Sequence, residues 1–275
     1  MVSVFVPSHI TGFFQVVDHN NPLKKGSRGA GIVINRGVTT TVKSSNKTKI
    51  DGLEIIAKKV IEVMKRYYNI GNIKVKHEID VPIGCGLGVS GACALGTAIG
   101  IAKELKLPIT LNQAADFAHL AEVELKTGLG DVIAELSGGL VIRTREGAPS
   151  YGKIDKIIVP SLYVIIKVLD KINTPAILKD KLYLEKINKI GEKMLKKILI
   201  QPSLKNFLNL SSNFSKKISI VTPEIKDIMD IMNEETIGSS VAMLGKTIFG
   251  ISETPETSLD DVIIAKIDFT GARIL

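Results

Sequence analysis

Apolar and polar residues alternate from Val2 to Val6 and predict a β-strand, and the runs Gly31 to Ile34 and Val38 to Lys43 predict two more, separated from the first by a loop. Apolar positions then recur at helical spacing from Leu53 to Tyr68, and a strand follows from Ile73 to Ile79. Ala94, Leu95, Ala98, Ile99 and Ala102 mark a helix from Gly88 to Leu105. Another begins behind a Thr110 cap, keeps period through Ala114, Phe117, Ala118, Ala121 and Leu125, and stops at Gly128. A brief helix after Gly130-Asp131 leads to Gly138-Gly139 and a strand from Leu140 to Thr144. Beyond Gly147-Ala148-Pro149 come strands Ile157 to Val159 and Tyr163 to Leu169. Helices Lys181 to Ile200, Leu204 to Phe214 and Pro223 to Met232 follow, then strands Ile248 to Ile251 and Val262 to Asp268. Strands interrupted by helices without a regular βαβ rhythm predict an α+β layered fold, and the Gly-Pro break predicts two domains, 1–148 and 149–275.

One stretch breaks these patterns in a way that points to a ligand. In V-P-I-G-C-G-L-G-V-S-G-A, Val81 to Ala92, glycines at 84, 86 and 88 let the backbone turn sharply and approach a bound group closely. The helix that opens beside Gly88 offers unpaired N–H groups and the positive end of its dipole, which suits a polyphosphate. Gly86, Gly88 and Gly91 also satisfy G-x-G-x-x-G, but Leu105 to Pro108 stands where a dinucleotide fold needs a second strand ending in an acid. Gly245-Lys246-Thr247 similarly lacks the leading glycine of a Walker loop, because position 240 is Ser, and a strand-like run follows it.

Composition narrows the setting. With 275 residues the chain can bury a large core without staples, and its two cysteines, Cys85 and Cys93, form neither a disulfide framework nor a zinc pattern. A reduced, intracellular, cytoplasmic protein is the expectation, with no signal peptide and no membrane-spanning run. The net charge of +8 could indicate a nucleic-acid partner. Its excess is mainly lysine, eleven against five acids between residues 153 and 200, without arginine clusters or interleaved aromatics. A solvated helix face and a field that steers anionic substrates therefore displace nucleic acid as the expectation. Abundant Lys, Ile and Glu with three Gln hint at a thermophilic source.

Two positions outside the glycine loop stand out. His119 and Glu122 share a helix face, as part of a polar site or as a surface pair. Asp131, in G-L-G-D at a helix start, is either an N-cap or a carboxylate beside a ligand that the glycines allow to approach.

P-I-G-C-G-L-G-V-S-G-A resembles the P-x-x-x-G-L-G-S-S-A-A phosphate loop of the GHMP kinases. The strand entering Val6-Pro7-Ser8-His9, the helix with Ala121-Glu122 and the segment G-L-G-D-V-I-A-E-L-S-G-G agree with that family. Val6 to Phe14 and Gly26 to Gly31 are most similar to its archaeal pantoate-phosphorylating branch. The resemblance implies a ribosomal-S5-like N-terminal domain, a ferredoxin-like C-terminal domain and an active site in the cleft between them. It implies ATP on Pro82, Gly84, Gly86, Leu87, Gly88, Val89, Ser90 and Gly91, and Mg²⁺ on Ser90 and Glu122. Asp131 would take the proton of the attacking hydroxyl, and the family allows a homodimer. The implied reaction is phosphorylation of pantoate for coenzyme A synthesis. Homoserine or mevalonate-type substrates, or a catalytically silent metabolite sensor, are the alternatives.

The chain departs from the family pattern at several places. His9 stands where many relatives have lysine, Val89 and Gly91 replace a serine and an alanine, and Ser239 to Gly245 matches the glycine-rich third motif poorly. A substrate with one carboxylate needs a cation, and Arg28 and Arg143 are the candidates, because a guanidinium grips a carboxylate through two parallel hydrogen bonds. Arg143 is favoured by the double glycine that places its strand beside Asp131; Ser27, His119 and His9 complete the expected substrate set.

Overall fold

The computed structural model describes residues 1–170, 181–243 and 245–275. Leu244, within the stretch compared with the third motif, lies outside the described residues. Two β-sheets carry the architecture. The first has seven strands: β1 (Val2–Val17), β2 (Gly26–Ser44), β3 (Lys49–Asp51), β4 (Ile73–Ile79), β5 (Leu140–Arg145), β6 (Lys153–Ile157) and β11 (Arg273–Ile274). β1 and β2 form one long antiparallel hairpin, and β2 then divides its other edge. Its residues 38–44 pair with β4, while Gly29 to Ile32 pair with β5. The second sheet is antiparallel, in the order β10 (Val262–Lys266), β7 (Tyr163–Asp170), β9 (Lys246–Ser252), β8 (Gly238–Val241).

The hairpin corrects the sequence reading, which ended the first strand at Val6 and placed a loop before Gly31. Pro7 and Gly12 look like breaks, but register shifts at Pro7/Ser8 and Thr11/Phe13 accommodate both, so pairing continues to Val17. β3, β8 and β11 were not predicted; each has four residues or fewer, too short for periodicity to register. β6 lies four residues earlier than the predicted Ile157 to Val159 run, and Ile158 is almost wholly exposed. β6 and β11 both follow Pro149, so a division at 148/149 leaves two strands of the later part in the first sheet.

Among the described residues four helices lie over the first sheet: α1 (Glu54–Lys65), α2 (Val89–Glu104), α3 (Leu111–Leu125) and α4 (Asp131–Ser137). α2 is enclosed, with residues from Val89 to Ile101 buried almost without interruption, and Gly96 and Gly100 let it approach Thr40 and Val42 closely. α3 carries the expected Thr110 cap, which the structure extends to a capping box, with Thr110 and Gln113 bonding each other's backbone N–H. The later helices are α5 (Lys181–Ile200), α6 (Leu204–Lys217) and α7 (Pro223–Glu235). α5 turns its lysines to solvent and buries Ile187, Met194, Leu195 and Ile198, as expected for a solvated basic face. α5 and α6 also pack on β1: Gly191 lies against the Phe14 backbone and Gly12 against Phe207 and Ser211. Phe13 and Phe214 pack at 6.4 Å between ring centres, fully buried, so apolar area lost from water fixes the later helices to the hairpin. Among the described residues no helix is long and apolar enough to cross a membrane.

Candidate active site

A cleft of about 440 Å³ opens above the N-terminus of α2. Gly84, Gly86 and Gly88 all have positive φ (80°, 80° and 67°), so the loop is wound into a shape that L side chains resist, and amides can converge on an anion. Gly88 precedes α2 without any side-chain cap, as a helix end left for a ligand requires. The loop is gripped from the second sheet: Thr247 Oγ1 donates to the Cys85 carbonyl at 2.6 Å, and Gly245 rests against the Cys85 backbone with no room for a Cβ. The third-motif stretch thus meets the loop through Gly245 rather than through glycine richness. Lys246 to Ser252 is strand, which disposes of the Walker reading.

Beside the loop lies a set of carboxylates. Glu122 of α3 is buried, and its Oε1 accepts from Ser90 Oγ at 2.5 Å and Thr127 Oγ1 at 2.6 Å. Its Oε2 has no partner among the described residues. Burial raises the Glu122 pKa to about 7 against the two hydroxyl hydrogen bonds, and the charge of Asp131 adds to the rise. Asp131, the first residue of α4, lines the cleft and accepts from His9 Nδ1 at 2.8 Å. Burial raises its pKa, but the His9 hydrogen bond and the Arg143 charge outweigh that and hold it below the ordinary carboxylate value. On the other side of His9, its Nε2 lies 3.3 Å from Arg143 Nη1. Arg143 is fully buried as a side chain, lines the cleft, and has its pKa pulled to about 10 by desolvation. Ser27 lines the cleft as well.

The other expected residues fall elsewhere. Pro82 opens the loop without lining the cleft. Arg28 lies outside the cleft lining: neighbours on a strand face opposite ways, and its Nε is 3.5 Å from Glu146. His119 is buried outside it too, where Nε2 donates to the Lys25 carbonyl at 2.9 Å and holds the segment before Ser27. Ser90, Gly84, Gly86, Leu87, Gly88, Val89 and Gly91 do line it.

Residues 56–139 match the GHMP kinases N terminal domain. The chain is 40% identical over 273 residues to the pantoate kinase of Methanocaldococcus jannaschii, spanning 96% of this chain and 97% of that protein. This chain is a GHMP kinase. The pantoate kinase of Thermococcus kodakarensis is 32% identical to the kinase over 270 residues, 93% of this chain and 89% of the other. A solved structure described as a phosphotransferase related to the CoA biosynthesis pathway superposes on it with a TM-score of 0.85 at 28% identity, covering 100% of this chain and 98% of that one. The two-sheet α+β architecture is accordingly that of a small-molecule kinase.

Sequence reasoning missed three features in and beneath the kinase's cleft. Thr127 reaches Glu122 because Lys126 adopts a left-handed conformation (φ 59°) at the end of α3 and turns the chain back; the Lys-Thr-Gly after the helix is its only sequence signal. Leu53, Ile55, Ile56 and Ile83 form an apolar wall next to the loop. Glu135 lies beneath the loop, wholly buried, with both carboxyl oxygens lacking partners among the described residues.

Proposed function

We propose that this kinase transfers the γ-phosphoryl group of ATP to the primary hydroxyl of pantoate. The observation that carries the reading is a cationic clamp set beside a base at the phosphate loop: Arg143 and Asp131 line one cleft and are joined through His9. Two relatives named pantoate kinase match nearly the whole chain. In this reading the ATP phosphates lie on the Gly84 to Gly91 backbone, and the adenine rests against Leu53, Ile55, Ile56 and Ile83. Arg143 and Ser27 hold the substrate carboxylate, because a guanidinium offers two parallel donors to it. Asp131 then accepts the hydroxyl proton as the oxygen attacks, while alignment and charge neutralisation supply most of the acceleration.

Magnesium fits the site. The unpartnered Glu122 Oε2 and the adjacent Ser90 hydroxyl are hard oxygen donors, and an ion carried in with ATP keeps several waters and needs few protein ligands. Bound there, Mg²⁺ would neutralise charge developing on the transferring phosphoryl group. We assign nucleotide binding to the first sheet with α1 to α4, and closure of the cleft to the second sheet. This refines the 1–148 and 149–275 division by giving β6 and β11 to the nucleotide-binding part.

The test is turnover of pantoate, homoserine and mevalonate under one ADP-release assay, with ³¹P NMR of the product. ADP release with pantoate and a phosphomonoester on its primary hydroxyl is the expected result. Turnover of homoserine or mevalonate in place of pantoate would overturn the substrate, and no turnover of any would favour a silent binder.

A further inference from the structure

Arginine can only donate hydrogen bonds, which fixes the protonation of its neighbour. Because Arg143 Nη1 faces His9 Nε2 at 3.3 Å, that nitrogen accepts, and the ring proton sits on Nδ1, from which it is given to Asp131 Oδ1 at 2.8 Å. His9 is fully buried, and desolvation lowers its pKa, in keeping with a neutral ring.

The backbone is shaped for this contact. His9 is on β1 and Arg143 on β5, and β2 runs between those strands. Their side chains meet across β2 because Gly31 carries no side chain there; a Cβ at Gly31 would strike the His9 ring at Nε2. A Cβ at Gly130, the residue before Asp131, would come within 2.8 Å of Arg143 Nε. Two glycines, from separate parts of the chain, thus clear the space for one histidine and one arginine. Arg143 Nε, meanwhile, has no partner among the described residues, which leaves a donor for a ligand.

We propose that His9 is a neutral strut of fixed tautomer that links the carboxylate clamp, Arg143, to the base, Asp131. Anchoring the substrate and aligning the base are then one mechanical event. This rests on the reading of Arg143 and Asp131 above. His9 is a positioning residue, since it touches neither substrate in that reading. It also does not stand in for a cation: a lysine at position 9 could donate to Asp131, but would set a second positive charge against Arg143 and offer it no acceptor.

The experiment measures steady-state kinetics of the full-length chain and its variants His9→Gln, His9→Ala and His9→Lys, with thermal melting of each. Glutamine presents an N–H and a carbonyl in one plane and can serve both neighbours, so His9→Gln is expected to keep most of the parent kcat. His9→Ala and His9→Lys are expected to lose about 100-fold in kcat, the scale of a misaligned reacting group, while KM for ATP holds. His9→Lys with parental kcat, His9→Ala with parental kcat, or a folded His9→Gln as slow as His9→Ala would each overturn the strut. If the parent itself fails to turn over pantoate, the substrate assignment falls, which is a separate and recognisable result.

Discussion

Replacing Glu135 by glutamine gives a sharp test of the electrostatics beneath the phosphate loop. Glu135 is wholly buried one turn after Asp131, its oxygens fill the space that a Cβ at Gly88 or Gly91 would need, and neither has a partner among the described residues. Burial, and after it the charges of Asp131 and Glu122, raises its pKa well above the ordinary value of 4.5. The unfolded chain releases this proton near pH 4.5 and the folded chain keeps it. Stability is therefore full below that pH and falls as pH climbs toward the folded pKa, by about 1.4 kcal/mol for each pH unit. Glutamine has the same shape and no proton to lose, so the slope should disappear. In a chain of this size that corresponds to roughly 3–5 °C in Tm per pH unit. Melting curves of both proteins between about pH 5 and pH 6 in EDTA should show the gap moving in favour of Glu135→Gln by that amount. The sign at any single pH is not the test, because the amide's own unpaired N–H groups add a constant cost of about 1–3 kcal/mol. Parallel curves would refute the reasoning.

Other consequences are accessible to kinetics. Asp131→Asn should lower kcat by about 10²–10⁴-fold, measured by ADP release, with KM for ATP little changed. Arg143→Ala should raise KM for pantoate by roughly 10–100-fold, the loss of a charged hydrogen-bonding partner, while KM for ATP stays put. Glu122, with its pKa raised to about 7, is protonated below that pH and poor at holding a metal. The Mg²⁺ concentration for half-maximal rate should therefore rise as pH falls through 7, and Glu122→Gln should need high Mg²⁺ at every pH.

The phosphate loop was legible because its glycines are local: three alternate positions with positive φ and a helix behind them need no knowledge of distant partners. Asp131 stands out beside the glycines that open its helix, and Glu122 through the helix face it shares with His119 and through the family resemblance; both line the cleft. The β1–β2 hairpin was not legible. Gly26, Gly29 and Gly37 look like loop, and what keeps them in a strand is non-local: the Phe13 backbone pressed on Gly29 and the Val6 carbonyl and Pro7 backbone pressed on Gly37. The double glycine alone favours Arg143 over Arg28 in the sequence, but the register that sets Gly29 opposite Arg143 is non-local and appears only in the fold. Glu135 escaped notice because, in A-E-L-S, it looks like an ordinary exposed helical acid; only the packing of α4 on α2 buries it.

The grip of Thr247 and Gly245 on Cys85 has a practical meaning for protein engineering. Because a hydroxyl and a glycine from the late sheet hold a carbonyl of the early nucleotide loop, the two halves are not interchangeable cassettes. A chimera that joins the first half of one family member to the second half of another inherits a loop shaped by one parent and a clasp shaped by the other. Recombination points between relatives should keep residues 82–91 and 239–247 from the same ancestor.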